Sequence, residues 1–145
     1  PFRTELEATA HCIGVDLSEN MLAQAKKKEL YQELHQASLQ QYLQNETGCF
    51  DLVLCLDTLV YIQDIQPILQ KIYTCTAKNG IFLFSTEDSE HSGPFLQPSG
   101  RYAHPHHYIL THLKESGWTL QGKEQTLLRK DGVHWIKGTI WSLQK

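Results

Sequence analysis

Residues 50–85 read FDLVLCLDTLVYIQDIQPILQKIYTCTAKNGIFLFS, and this stretch decides the fold. It opens with residues 51–56, a continuous apolar run typical of a strand covered on both faces. Asp64 can cap the next element, where apolar residues recur at helical spacing and predict one buried stripe. The members of that stripe are Ile65, Ile68, Leu69, Ile72 and Tyr73. An Asn-Gly pair at residues 79–80 ends the helix and leads into a second buried strand, residues 81–86. Strand, helix and strand at this spacing predict a βαβ unit, and therefore an α/β fold with a parallel sheet.

Shorter elements of the same kind precede this unit. Residues 10–16 predict a short buried strand that ends in an acid. Ser18 can cap a helix that runs to about Glu29. A weak candidate strand at residues 34–37 and a helical stretch at residues 39–43 follow.

The part after residue 86 changes character. Residues 87–104 contain two prolines and two glycines and predict one long loop, which in a compact domain is usually functional or disordered. Pro105 suits the first turn of a helix that ends at Gly117. The tail, residues 118–143, predicts an antiparallel hairpin around a Lys-Asp-Gly turn.

Composition argues against several classes of protein. The chain has 145 residues, enough for one domain, and no apolar run of about 18 residues that could span a membrane. Its formal net charge of −3 argues against a nucleic-acid backbone as the main partner. Four cysteines without CxxC spacing are interpreted as reduced and structural, which predicts a cytoplasmic protein. Trp118, Trp135 and Trp141 are expected to pack in the core.

Two acids lie at the predicted strand ends. Asp16 follows a buried strand, where an acid in a doubly wound fold can accept hydrogen bonds from both ribose hydroxyls of an adenosine cofactor. Its alternative role is to cap the next helix. Asp57 follows the strand at residues 51–56, and its alternative role is that of a turn or capping acid.

Two of these stretches resemble a known family. GVDLSENMLAQAKKK, residues 14–28, resembles the second-strand motif of class I S-adenosylmethionine-dependent methyltransferases, and residues 50–85 resemble their fourth strand, fourth helix and fifth strand. The resemblance implies a Rossmann-like, doubly wound, mostly parallel sheet with a C-terminal antiparallel hairpin. LQPSGRYAH, residues 96–104, followed by Tyr108, resembles a narrower subgroup, the predicted methyltransferases associated with tetratricopeptide repeats.

The resemblance also implies roles for individual residues. Asp16 would bind the ribose of S-adenosylmethionine and Leu17 would flank the adenine. Ser38 and Leu39 occupy the position where relatives often place an acid for the adenine amino group. The remaining cofactor contacts, beside the methionine portion and the methyl group, would come from Leu56 and Asp57.

The acceptor side is expected to involve the fourth strand and the long loop. Tyr61 would line it, and Arg101 would contact the substrate. Tyr102 and His104 are the candidate catalytic residues, since either could act as a general base for a nucleophile that arrives protonated. The chain has no Asn-Pro-Pro-Tyr motif after residue 56, which favours a small-molecule acceptor over an amide or base nitrogen.

The start of the chain departs from the family pattern. Relatives open with a strand and a glycine-rich loop that cradles the methionine end of the cofactor. Residues 1–10, PFRTELEATA, read instead as the remainder of the following helix. We therefore expect residues 1–145 to form a methyltransferase domain that is N-terminally incomplete, lacks its first strand and does not bind the cofactor usefully alone.

Two other interpretations remain open. A nicotinamide-dependent dehydrogenase would use Asp16 equally well for its ribose, although the chain lacks a Tyr-x-x-x-Lys pair. A degenerate domain kept as a binding or regulatory module would explain Ser38 and the missing loop. A metal site is not predicted, because no cysteine or carboxylate stands at a convincing ligand spacing beside the histidines. Those histidines are His91, His104, His106, His107 and His112.

Overall fold

The structure, a computed structural model, describes residues 10–145. They belong to two compact units, one ending at Glu46 and the other running from Thr47 to Lys145. The prediction that the chain opens with the remainder of a helix falls on residues 1–9, which lie outside the described part.

The first unit pairs two short parallel strands and adds a helix after each. Its elements are β1 (Ile13–Asp16), α1 (Glu19–Lys26), β2 (Glu33–Gln36) and α2 (Leu39–Asn45). The register sets Asp16 opposite Gln36, so the carboxyl ends of both strands meet at one edge. The predicted order of elements is confirmed, with boundaries that move by a few residues.

The start of α1 confirms the predicted cap. The Ser18 hydroxyl accepts a hydrogen bond from the backbone N–H of Met21 at 3.3 Å, which satisfies one of the free donors of the first turn. The helix ends at Lys26 rather than at Glu29. Glu29 adopts a φ of 51°, a left-handed conformation that a helix interior excludes.

The second unit is built on one long central strand. Its elements are β3 (Phe50–Cys55), a 3₁₀ turn (Leu59–Tyr61), α3 (Gln66–Cys75), β4 (Thr76–Asp88), β5 (Phe95–Leu96), β6 (Tyr102–His104), α4 (His106–Glu115), β7 (Thr119–Asp131) and β8 (His134–Gln144). β8 pairs antiparallel with β4 along one edge. On the opposite edge of β4, β3 pairs in parallel as far as Phe84, and β6 pairs in parallel at Glu87 and Asp88. The predicted parallel unit with a C-terminal antiparallel hairpin is confirmed. The expectation that its first strand is covered on both faces is wrong, since Leu52 and Leu54 of β3 are each 41% exposed.

The core of this unit lies between the sheet and the two longer helices. Phe82, Phe84 and Trp141 are buried on the sheet, and the ring of Trp141 stacks on that of Phe84 at 6.0 Å between centroids. Trp118 connects the sheet to α3, because its indole N–H donates to the carbonyl oxygen of Leu69 at 3.1 Å. The predicted buried stripe of α3 is confirmed by the burial of its members, except that Tyr73 is only half-buried.

The predicted featureless loop is partly wrong. β4 continues to Asp88, and the following residues form β5 and β6, so the irregular part shrinks to the segments between them. These strands are two and three residues long. Strands of that length have no visible alternation in the sequence, because a period of two needs about four residues to show.

Two smaller predictions also need correction. Trp135 is 51% exposed rather than in the core. β8 pairs with β4 only from Gly138 onward, and Trp135 lies in the earlier part of β8, which pairs with β7 alone. Its ring instead lies 5.2 Å from the ammonium nitrogen of Lys130. At the start of α3, Ile65 occupies the cap position predicted for Asp64, although the Asp64 carboxylate still accepts from the N–H of Gln66 at 3.1 Å.

None of the four cysteines, all of which lie in the described part of the chain, forms a disulfide. Cys55 and Cys75 are buried, whereas Cys49 is exposed. Cys12 lies just before β1 and not within a strand. Between residues 10 and 145, no helix is both long enough and apolar enough to cross a membrane.

Candidate functional site

Asp16 ends β1 with one carboxylate oxygen engaged. Its Oδ1 accepts the backbone N–H of Ser18 at 2.8 Å, which fixes the carboxylate beside the first turn of α1. Within the described part of the chain, no residue donates a hydrogen bond to Oδ2. Ser18 itself caps the helix, so capping alone does not account for the acid. Asp16 can therefore accept hydrogen bonds from a ligand at the carboxyl edge of β1.

The three other predicted residues of the first unit lie at the same edge. Leu17 is 67% exposed, so an apolar side chain is accessible beside Asp16. The Ser38 hydroxyl accepts a hydrogen bond from the backbone N–H of Gln41 at 3.1 Å, and the side-chain Oε1 of Gln41 accepts one from the backbone N–H of Ser38 at 3.1 Å. This capping box occupies the oxygen of Ser38 and leaves its proton free to donate. Leu39 follows as the first residue of α2 and is half-buried.

The second unit places Leu56 and Asp57 directly after β3. Asp57 adopts a φ of 54°, which is uncommon for a residue with a side chain. Its backbone N–H donates to the Ser85 hydroxyl at 2.8 Å, so β4 holds this turn. Leu56 is 42% exposed. Sparsely populated backbone conformations of this kind persist where the surrounding structure fixes them, often at functional sites.

Asp57 belongs to an arginine–carboxylate cluster, which consists of Asp57, Glu87, Arg101 and Arg129. Oδ1 of Asp57 lies 3.4 Å from Arg101 Nη1 and 3.3 Å from Arg129 Nε. Glu87 is buried, and its Oε1 contacts Arg129 Nη2 closely and Arg101 Nη1 at 3.8 Å. The two positive and two negative charges balance, which makes a buried carboxylate such as Glu87 tolerable.

Arg129 is firmly charged within the cluster. Partial desolvation lowers the pKa of Arg129, but the charges and hydrogen bonds of Glu87 and Asp57 outweigh it and raise its pKa above the ordinary value. Sequence reasoning missed Arg129 and Glu87. Glu87 offered one signal, since a charged residue at the end of an apolar strand is costly unless it is paired. Arg129 offered none, because it is one of several cations in a half-exposed hairpin.

The predicted substrate residues lie against this cluster. Arg101 Nη2 donates to the phenolic oxygen of Tyr61 at 2.8 Å. Its guanidinium carbon lies 5.2 Å from the centre of the Tyr61 ring. The Gln97 amide anchors the same loop by donating to Glu87 Oε2 at 2.5 Å. The structure thus brings Asp57, Tyr61 and Arg101 together near the carboxyl end of β3.

The two candidate catalytic residues stand on β6. Tyr102 lies with its hydroxyl 3.5 Å from Oε1 of Gln63. His104 is fully buried, and its Nε2 lies 3.0 Å from the carbonyl oxygen of Ile62 and 3.3 Å from that of Gln63. Both partners are acceptors, so Nε2 carries the proton and Nδ1 keeps its lone pair. Nδ1 is buried and has no hydrogen-bond partner in the described chain.

The surroundings of His104 keep its ring neutral. Desolvation lowers the pKa of His104, and the two carbonyl contacts, which favour the charged form, do not compensate for it. A neutral imidazole with a free lone pair is the form that a general base needs. That lone pair is closed to water, so an acceptor could reach it only after a local opening of the loop.

A histidine cleft of about 550 Å³ lies at the carboxyl ends of β4 and β6. Its lining residues are Asp88, Ser89, Glu90, His91, Pro105, His106, His107, Gln125 and Lys137. Asp88 Oδ1 lies 3.1 Å from His106 Nε2 and accepts from the Thr139 hydroxyl at 2.8 Å. Sequence reasoning grouped these histidines but named no role for them. Among residues 10–145, no three histidine, cysteine or acidic side chains converge as metal ligands.

The sequence matches a family described as "Methyltransferase domain" over residues 2–84. The chain belongs to this methyltransferase domain family. The matched stretch includes Asp16, Ser38, Asp57 and Tyr61 but ends before Arg101.

Two curated relatives resemble the methyltransferase domain. One is the ubiquinone biosynthesis O-methyltransferase of Actinobacillus pleuropneumoniae serotype 7, which is 27% identical over 88 residues, or 55% of this chain. The other is the carboxy-S-adenosyl-L-methionine synthase of Campylobacter concisus, 42% identical over 78 residues, or 50% of this chain. The matches span 38% and 32% of those proteins' own lengths.

A solved structure supports the fold of the methyltransferase domain. The S-adenosylmethionine-dependent methyltransferase from Clostridium acetobutylicum superposes with a TM-score of 0.70 at 16% identity, covering 93% of this chain and 75% of that one. The predicted Rossmann-like α/β fold is therefore confirmed.

Proposed function

We propose that the protein transfers a methyl group from S-adenosylmethionine to a small-molecule acceptor. The observation that carries this proposal is Asp16, which ends β1 inside the stretch that matches the family and whose Oδ2 accepts no hydrogen bond from residues 10–145. Exposed Leu17 beside it suits the face of an adenine. The names of the two curated relatives, one of them an O-methyltransferase, support chemistry on small molecules.

The residues of the cofactor side divide the binding task. Asp16 accepts from the ribose hydroxyls, Leu17 and Leu39 cover the adenine, and Ser38 donates its free hydroxyl proton to it. Leu56 and Asp57 border the methionine portion. Charge-assisted hydrogen bonds, such as those that Asp16 would accept, are roughly twice as strong as hydrogen bonds between neutral groups.

Bound S-adenosylmethionine supplies an electrophilic methyl group on a sulfonium sulfur. The task left to the chain is to align the acceptor with it and exclude water, which can supply most of the acceleration of such a displacement. Arg101 and Tyr61 would orient the acceptor. His104 through Nδ1, or Tyr102, would remove a proton from it where one must leave.

We also propose finer assignments that follow from the sequence. Residues 1–145 form one methyltransferase domain, since the family match runs from residue 2 through both compact units to residue 84. The motif at residues 96–104 supports membership of the subgroup associated with tetratricopeptide repeats. Four cysteines without a disulfide support a reducing, cytoplasmic location.

Calorimetry on the intact protein tests the proposal against its rivals. We expect one equivalent of S-adenosylhomocysteine to bind and NADH not to bind. Binding of NADH alone would establish the dehydrogenase alternative. If neither ligand binds to the folded protein, the domain is a degenerate module with a binding or regulatory role.

A further inference from the structure

Tyr61 packs against Arg101 at one side of the arginine–carboxylate cluster, where the Arg101 side chain is 21% exposed. The Tyr61 ring is 60% exposed although it lies under the Arg101 guanidinium. The hydrogen bond from Arg101 Nη2 to the phenolic oxygen of Tyr61 holds the two side chains in one arrangement. Together they place an exposed aromatic ring beside a planar cation.

Arg101 is less closely paired than Arg129. Its Nη1 lies 3.4 Å from Asp57 and 3.8 Å from Glu87. Charge-assisted hydrogen bonds between such groups usually measure about 2.7–2.9 Å. Arg129, by contrast, makes a close contact with Glu87. Two carboxylates therefore lie near Arg101, but neither is as close as in a strong charge-assisted hydrogen bond.

We propose that Arg101 and Tyr61 bind the carboxylate and ring of a planar aromatic acid, and that the methyl acceptor belongs to this class. The claim that this ligand is the methyl acceptor rests on the proposed function, whereas the claim that it binds does not. A carboxylate suits the forked donors of a guanidinium, which can bind both of its oxygens. The ring of the same molecule can stack on the exposed face of Tyr61.

A ligand carboxylate can replace the contact between Arg101 and Asp57 with little loss of stability in the cluster. When a ligand carboxylate approaches Arg101, the contact that it replaces is the long one to Asp57. Asp57 keeps Arg129 Nε at 3.3 Å, and its turn stays attached to Ser85. Glu87 keeps Arg129 and Gln97. Asp57 and Glu87 each keep a cationic or amide donor, so the exchange avoids the penalty of an unpaired buried charge.

The direct test is a calorimetric titration with 4-hydroxybenzoate and, as a matched neutral ligand, 4-hydroxybenzamide. We expect the acid to bind the intact protein at least about tenfold more tightly than the amide, as one charge-assisted pair implies. In Arg101→Gln the preference for the acid should disappear, while Arg101→Lys should keep part of it. In Tyr61→Leu both ligands should weaken together, because their rings are the same.

Lys137→Gln is the charge-matched control, since Lys137 is an exposed cation in the separate histidine cleft. It should leave both affinities unchanged. The proposal is overturned if the wild type does not prefer the acid, if Arg101→Gln keeps the preference, or if Lys137→Gln removes it. Thermal unfolding confirms that each variant is folded. Failure of S-adenosylhomocysteine to bind would count against the proposed function alone.

Discussion

The indole N–H of Trp141 donates a hydrogen bond to the Thr86 hydroxyl at 2.9 Å, and neither side chain reaches water. Thr86→Val keeps the volume but leaves this donor without its acceptor. We predict a loss of about 1–3 kcal/mol in the free energy of unfolding, the cost of an unsatisfied buried polar group. Urea denaturation measures it. Thr126→Val, a half-buried threonine of the neighbouring hairpin, should change stability by less than about 0.5 kcal/mol. Equal effects of the two substitutions would contradict the assignment.

Gly138 marks a close approach between β8 and β4. A Cβ atom at this position would lie 2.3 Å from the carbonyl oxygen of Thr86, which the backbone cannot easily move. We predict that Gly138→Ala destabilises the fold by about 1–3 kcal/mol, the usual range for overpacking. Gly122→Ala on β7 is the matched control, because nothing lies within 4 Å of its added carbon. Comparable unfolding midpoints for both variants would show that the strands separate easily here.

The Cys55 thiol should resist alkylation in the folded protein. Burial raises the pKa of Cys55 to about 12, because desolvation disfavours the thiolate. With a folded pKa above the ordinary value of about 9, its contribution to stability is complete below that pH and is lost as the pH rises toward 12. At pH 8 we predict that iodoacetamide modifies exposed Cys49 but not Cys55, and that urea removes the difference. Peptide mass spectrometry gives the result, and equal native labelling would refute it.

Asp16→Ala should weaken binding of S-adenosylhomocysteine by the intact protein by about 1.5–3 kcal/mol, the contribution of charge-assisted hydrogen bonds. Asp16→Asn should lose less, since it keeps an acceptor oxygen. Glu124→Gln, which removes an exposed charge elsewhere, serves as the control for net charge. Calorimetry measures all three. An unchanged affinity in a folded Asp16→Ala protein would show that another residue holds the ribose.

Tyr102→Phe combined with His104→Gln should lower turnover while sparing the cofactor. Both residues stand on β6 in the second unit, whereas Asp16 ends β1 in the first. Turnover is measured as transfer of a labelled methyl group into an extract of small metabolites, and cofactor affinity by calorimetry. We expect S-adenosylhomocysteine affinity to stay within about twofold, which is less than 0.5 kcal/mol. A fall in affinity with normal turnover per bound cofactor would show that the loop serves the cofactor instead.

The elements of the fold could be read from local pattern. Residues 51–56 and 81–86 are apolar on both faces, and the stripe between them has helical spacing, so the parallel unit followed without any tertiary information. Ser18 and its helix were found for the same reason, since a cap acts within three residues. The exposure of Trp135 and the strands within residues 87–104 could not be predicted from the sequence, because both depend on where β4 ends.

The sequence by itself determined the order of strands and helices apart from β5 and β6, the resemblance to methyltransferases, and the position of Asp16 at a strand end. Only the tertiary structure decided that Arg129, 72 residues away along the chain, contacts Asp57, and that Arg101 lies over Tyr61. Secondary structure follows short-range periodicity, which the sequence displays directly. Charge pairs across a sheet depend on which strands lie side by side, and the spacing of residues along the chain does not indicate which strands are adjacent.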